Sequence, residues 1–402
     1  MRIKFINLLF VVWVASVPAL AQETNKKSPD QTIKIKKSQE ELPVNGKVIC
    51  RNDPPLQVPM ARRVGISDEL EIKESDFKVK ETTAFRIHFN LKDIPTEPSW
   101  AIQVSDNNDK VVWTYSPLLK KEASFWSGEI IGNKAKVAII STRKDNSVQV
   151  FIDCISVKRP PRIAQTRTPP DQRKLIIDNS ISQRIKELGK AIGFLQFIGI
   201  DKEPRVCSGF LISPELFITN YHCLQRENED VWRSALVDFD YETTSTVERK
   251  EIRFMEFVEE SPDLDFAILR LEEKQFNRKP LILESVDTLP INTDLVLIQH
   301  PNGEAKQVSL EECRISFHTF ISGYSDKKTD FAHHCDTLPG SSGSAVISLD
   351  RQTVIGLHHL GFSNGDELQE NRAVLMKEII SFIINSNNSK LKEELKLSEP
   401  KP

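Results

Sequence analysis

Cys207-Ser208-Gly209-Phe210-Leu211-Ile212 and, three residues on, Leu216-Phe217-Ile218-Thr219-Asn220-Tyr221-His222-Cys223 read as two short strands, the second ending on a histidine. Further short apolar runs surround them, at Ile192 to Ile198, Phe266 to Leu271, Leu295 to Ile298, Ala345 to Ile347 and Val354 to Leu357. Runs of this length separated by turn residues predict an all-β barrel architecture over residues 176–386. Asn371 is placed to cap a closing helix in which Met376, Ile380, Ile383 and Ile384 share one face.

Acyl transfer by a hydroxyl needs a nucleophile on a tight turn, a base to take its proton, an acid to orient that base and N–H donors for the oxyanion. Gly340-Ser341-Ser342-Gly343-Ser344 offers a serine between glycines that let the chain turn sharply. His222 lies at a strand end beside Cys223. Asp263-Leu264-Asp265 stands just before a buried strand, an unfavourable place for a carboxylate without a partner.

In the order His222, Asp265, Ser342, these segments resemble the trypsin-like (chymotrypsin-family) serine peptidases over about residues 191–384. Thr219-Asn220-Tyr221-His222, Gln299-His300-Pro301-Asn302-Gly303 and Asp336-Thr337-Leu338-Pro339-Gly340-Ser341-Ser342-Gly343-Ser344 are similar to pieces of secreted bacterial endopeptidases of the glutamyl/lysyl type. The resemblance implies a chymotrypsin-like double β-barrel, with Ser342 as nucleophile, His222 as base and then acid, and Asp265 holding the imidazole. Asp263 is the rival acid; Asp265 directly precedes the Phe266-Ala267-Ile268 strand, as the family pattern requires. The backbone N–H groups of Gly340 and Ser342 would form the oxyanion hole. No cofactor or metal is implied.

Two departures follow from the same resemblance. Ser341 stands where digestive members carry the aspartate that binds a new N-terminus, so Ala191-Ile192-Gly193 is not expected to act as an activation switch. Any restraint by the N-terminal half would have to work otherwise, for example by occlusion. Asp336, six residues before Ser342, occupies the place of the acid in basic-specific pockets, while His358 or His359 on the opposite wall resembles the glutamate-cleaving branch. A structural role for Asp336 is the third possibility, and the sequence leaves all three open.

Over 44–157 the alternation of Phe85, Ile87, Phe89 and Leu91, of Trp100, Ile102 and Val104, and of Val148, Val150 and Ile152 predicts an antiparallel β-sandwich, with a turn at Asp106-Asn107-Asn108-Asp109. No clustered His, Glu or Ser suggests chemistry in this half, which reads as a packing or binding module. Residues 158–175, with Pro160-Pro161 and Pro169-Pro170 among basic residues, read as a linker, and 387–402 as a charged tail expected to be disordered. Residues 1–21 have a basic start, the apolar run Phe5 to Val17 and an Ala19-Leu20-Ala21 cleavage pattern, so an export signal is expected, followed by a flexible leader at 22–43.

Export suits six cysteines, whose positions suggest the pairs Cys50–Cys154, Cys207–Cys223 and Cys313–Cys335; their spacings are too long for zinc. With 54 Lys+Arg against 57 Asp+Glu, nothing points to nucleic acid, and no later segment is long and apolar enough to span a membrane. The expected protein is a secreted or periplasmic serine endopeptidase acting on protein or peptide substrates. The competing reading is a non-enzymatic binding or adhesion protein with a degenerate peptidase domain. A protein-quality-control protease is a third, but no following peptide-binding segment is recognisable.

Overall fold

The structure is a computed structural model that describes residues 46–397, apart from segments at 52–53, 60–64, 68, 80–82, 95–99, 117–122, 143–147, 159–170, 244–249, 288, 321–326 and 362–369. The signal at 1–21 and the leader at 22–43 lie outside the described residues, as does most of the linker. No helix among the described residues is long and apolar enough to cross a membrane.

The N-terminal half folds as two facing antiparallel sheets. One orders its main strands Gly46–Cys50, Gln149–Lys158, Ala84–Lys92 and Ser124–Trp126; the other orders Gly65–Ile66, Lys134–Ser141, Trp100–Ser105 and Val111–Tyr115. The period-two residues named above all point inward, and Ile87, Phe89, Ile102, Val104, Val150 and Ile152 are wholly buried. Each such side chain contributes about 1.5–3 kcal/mol on leaving water, so alternation alone selects the inner face. Cys50 and Cys154 are paired in register and joined by a disulfide. The ladder to Ala84–Lys92 shifts between Ile152 and Cys154, which leaves Asp153 as the extra residue of a bulge.

In the second half, Ile192–Ile198, Pro204–Leu211, Leu216–Thr219, Phe266–Leu271, Glu251–Ser261 and Leu236–Asp238 close into a six-stranded barrel. An eight-stranded sheet follows, in which Leu295–Gln299, Ala345–Ser348, Val354–Leu360, Asn371–Leu375, Asp330–His333 and Ile315–Phe320 are successive neighbours. This barrel and half-barrel share one apolar core, in keeping with a chymotrypsin-like fold.

The sandwich docks on the barrel through polar contacts. Arg86, buried, donates to the Ser127 and Ser234 carbonyls, each at 2.8 Å. Glu251 accepts from the Glu129 backbone N–H at 2.7 Å, and the Arg253 guanidinium lies 5.4 Å from the Tyr115 ring centroid. These contacts sit at the start of the strand Glu251–Ser261, whereas its far end pairs with Phe266 beside Asp265.

Three local expectations are corrected. Asn371 is not a cap: it is buried in a strand, where its side chain donates to the Cys335 carbonyl at 2.7 Å, and the helix Met376–Asn385 begins after Leu375. The linker already contributes the strand Lys174–Leu175, paired with Val308 and Gln307. The tail expected to be disordered holds a helix, Ser389–Glu394, that buries Leu391 and brings Glu394 within 3.1 Å of Arg270. Arg270 is buried between Glu215, Glu256 and Glu394. A buried cation gathers such partners across the chain, an effect that local composition does not reveal.

Candidate active site

His222 follows the strand Leu216–Thr219, and the Cys207–Cys223 disulfide fastens its loop to the neighbouring strand. Asp265 sits before Phe266–Leu271 with φ of 47°, a left-handed conformation that aspartate tolerates better than most residues. This turn buries its carboxylate completely. Oδ1 accepts the His222 backbone N–H at 2.9 Å and Oδ2 lies 2.7 Å from His222 Nδ1. Asn220 completes the clamp, donating to the Asp265 carbonyl at 2.8 Å. Asp263 faces outward and pairs with Lys327 at 3.2 Å.

Ser342 is half-buried on a turn between two positive-φ glycines, Gly340 at 94° and Gly343 at 85°. A Cβ on Gly343 would lie 2.1 Å from the Ser208 carbonyl oxygen, so only glycine fits. Ser208 braces the turn: its N–H donates to the Ser342 carbonyl at 2.7 Å, and its hydroxyl donates to the Gly340 carbonyl at 2.9 Å while accepting the His300 N–H. Among the described residues, the N–H groups of Gly340 and Ser342 donate to no protein acceptor. Ser341 Oγ accepts the Leu338 N–H at 3.1 Å, so a neutral internal bond stands where an ion pair would otherwise order the loop. Ala191 is buried and continuous with the helix Gln183–Gly189.

Sequence reading placed His359 only as a possible pocket residue. In the structure it is wholly buried, with Nδ1 3.2 Å from Asp265 Oδ2 and Nε2 2.9 Å from Asp330 Oδ2. A neutral imidazole has one N–H and one lone pair, yet both ring nitrogens here face carboxylate oxygens. Burial alone would lower the His359 pKa, but Asp330 and then Asp265 raise it to about 9. Burial would likewise raise Asp265, but His222 and, after it, His359 hold it below the usual carboxylate range. Neither Asp330 nor Ser208 stood out in the sequence; the only signal was a polar residue inside an otherwise apolar strand.

The two pocket candidates differ. Asp336 is half-buried, and its Oδ2 accepts the Gln172 backbone N–H at 3.1 Å. His358 is buried, with Nδ1 3.1 Å from His333 Nε2. Burial, with His333 as neighbour, drives the His358 pKa well below its ordinary value; burial, with His334 and His359, lowers His333 to about 3. Both rings are therefore neutral. His334 is exposed beside Glu370. The third disulfide, Cys313–Cys335, anchors this segment. The groupings Cys207/His222/Cys223 and His88/Asp153/Cys154 bring metal-ligand types together, but their cysteines are spent in disulfides.

A barrel and half-barrel bring a histidine, a buried aspartate and a Gly-flanked serine into one half of the chain. Residues 207–357 of it match the family model of the trypsin-like peptidase domain. A curated relative, the uncharacterized protein y4fB of Sinorhizobium fredii, is 30% identical over 170 residues, covering 38% of this chain; the chain spans 25% of that relative's length. The active form of the Rv3671c protease of M. tuberculosis is similar in structure, with TM-score 0.40 and 16% identity over 55% of this chain and 87% of that one. A Glu endopeptidase gives TM-score 0.39 and 21% identity over 53% of this chain and 95% of the other.

Proposed function

We propose that this protein is an exported serine endopeptidase that hydrolyses peptide bonds through Ser342, His222 and Asp265. The observation that carries the reading is the buried Asp265 carboxylate on His222 Nδ1, together with a half-buried Gly-flanked serine whose own N–H and that of Gly340 donate to no protein acceptor among the described residues. Ser342 Oγ attacks the scissile carbonyl while His222 Nε2 takes its proton; the Gly340 and Ser342 N–H groups receive the oxyanion. His222 then protonates the leaving amine, and water reverses the sequence on the acyl-enzyme. Asp265 keeps the imidazole in the tautomer that accepts this proton and stabilises it once charged.

Three disulfides support an oxidising compartment, secreted or periplasmic. Of the pocket candidates, Asp336 already accepts a backbone N–H, whereas His358 and His333 are neutral rings able to take a proton when a substrate carboxylate arrives. An acidic side chain at the cleaved residue is the preference this favours. Turnover of a peptide library tests both statements: cleavage after Glu or Asp, abolished by Ser342→Ala, is expected. Cleavage after Lys or Arg would restore Asp336 as the pocket acid, and no cleavage by folded protein would favour the binding or adhesion reading.

A further inference from the structure

A second Ser-His-Asp constellation lies outside the peptidase cleft, in the sandwich half whose sequence showed no clustered chemistry. His88 projects from Ala84–Lys92 on the face turned away from the sandwich core, and its Nδ1 lies 2.6 Å from Asp153 Oδ1. Its Nε2 lies 2.7 Å from Ser124 Oγ on the adjoining strand. Asn90 Nδ2 donates to the other Asp153 oxygen at 2.6 Å. The serine, both imidazole nitrogens and the acid are thus joined in the sequence that makes a hydroxyl nucleophilic.

Three features separate this group from an ordinary polar surface. Asp153 is the extra residue of the bulge between Ile152 and Cys154, a device that re-aims one side chain out of a regular ladder. The Cys50–Cys154 disulfide pins the residue next to it. Burial raises the Asp153 carboxyl, but His88 and then Asn90 hold it below the usual carboxylate range, so the acid is an anion. Ser124, by contrast, is exposed and can be reached. Among the described residues its strand is the sheet edge, and the ladder to Ala84–Lys92 runs through Ala123 and Ser127, with the Leu91 N–H donating to the Ala123 carbonyl and the Ser127 N–H to the Ile87 carbonyl. By antiparallel alternation the Ser124 N–H then faces the free edge. Trp126, 4.7 Å from the His88 ring by centroids, supplies an apolar wall.

We propose that Ser124, His88 and Asp153 form a second acyl-transfer site that takes activated carboxylic esters with an apolar or aromatic group. Ser124 Oγ bonds to the acyl carbon as His88 Nε2 accepts its proton. The carbon–oxygen bond to the alcohol breaks, and that proton passes to the leaving oxygen. Water, deprotonated by His88, then cleaves the acyl-serine and restores the hydroxyl. With one edge amide in place of a two-donor hole, the site is roughly 10²–10³-fold weaker toward an oxyanion, which restricts it to activated esters and excludes peptide bonds.

The experiment uses the full chain carrying Ser342→Ala, so that the peptidase nucleophile is absent. It is treated with a fluorophosphonate and with p-nitrophenyl acetate, and the adduct is mapped by peptide mass spectrometry. The expected result is an adduct on Ser124 that disappears with Ser124→Ala and forms about 10²-fold more slowly with His88→Gln. Circular dichroism on each variant establishes folding. A folded protein with no adduct on Ser124, or one labelled equally fast with His88→Gln, overturns the proposal. Neither result depends on whether Ser342 cleaves peptides.

Discussion

Replacing His359 with glutamine removes a buried positive charge from between two carboxylates while keeping one N–H donor. The lift of its pKa from the ordinary 6.5 to about 9 corresponds to roughly 3 kcal/mol, at 1.36 kcal/mol per unit. Breaking a buried ion network from one side costs about 3–5 kcal/mol, which agrees in size. His359 binds its proton more tightly folded than unfolded. Its contribution is therefore complete below pH 6.5 and disappears as pH rises through about 9. His359→Gln is expected to lose about 3 kcal/mol at pH 6, or roughly 6–12 °C in Tm for a unit of this size. That deficit should shrink between pH 6.5 and 9. The measurement is urea unfolding of both proteins at a series of pH values. A deficit of equal size at pH 6 and pH 10 would refute a charged His359. Asp265 and Asp330 face the ring directly, and the buried His358 and His333, whose pKa values burial lowers, lie near it.

Asp265→Asn should lower kcat/KM for a peptide ester by about 10⁴-fold, because the amide no longer selects the working tautomer of His222, while Asp263→Asn should stay within about twofold. Equal losses would reinstate Asp263. Gly343→Ala must move either the turn or the Ser208 carbonyl; a drop of at least about 10²-fold in burst amplitude or rate is expected from a protein that still folds by circular dichroism. At the sandwich docking surface, burial and the Glu129 carboxylate push Glu251 up to about 7. A carboxyl raised in this way favours the folded state below pH 4.5 and loses that advantage as pH rises through 7. Glu251→Gln should accordingly gain about 2 kcal/mol relative to the parent at pH 8 compared with pH 5, by denaturant midpoint, and no gain would count against the shift.

Much of the fold and site was legible because its signals are local. Alternation over Phe85–Leu91 and Trp100–Val104 selects one face of a strand by hydrophobicity alone, and glycines at 340 and 343 mark a turn that no larger residue can make. Order along the chain linked His222, Asp265 and Ser342 to a known arrangement. The choice between Asp263 and Asp265 was harder, since both lie in one turn; a backbone φ of 47° sends the second inward. The tail was misread because Leu391 enters an apolar core built by distant segments, and Glu394 meets Arg270, 124 residues away in sequence, and Ser213.

The sequence by itself determined the strand patterns and the cysteine framework, and it carries the residue types that the proposed nucleophile, base and acid require, all written in spacing and order. Tertiary structure alone decided which polar side chains meet. It set His359 between Asp265 and Asp330, turned Asp336 onto Gln172, brought Arg86 of the sandwich to the Ser234 carbonyl, and joined His88, Ser124 and Asp153 across three strands. The physical reason is that burial of apolar side chains follows a short period along one strand. A hydrogen bond between charged groups depends instead on register between strands far apart in sequence, and on a single bulged residue that no period announces.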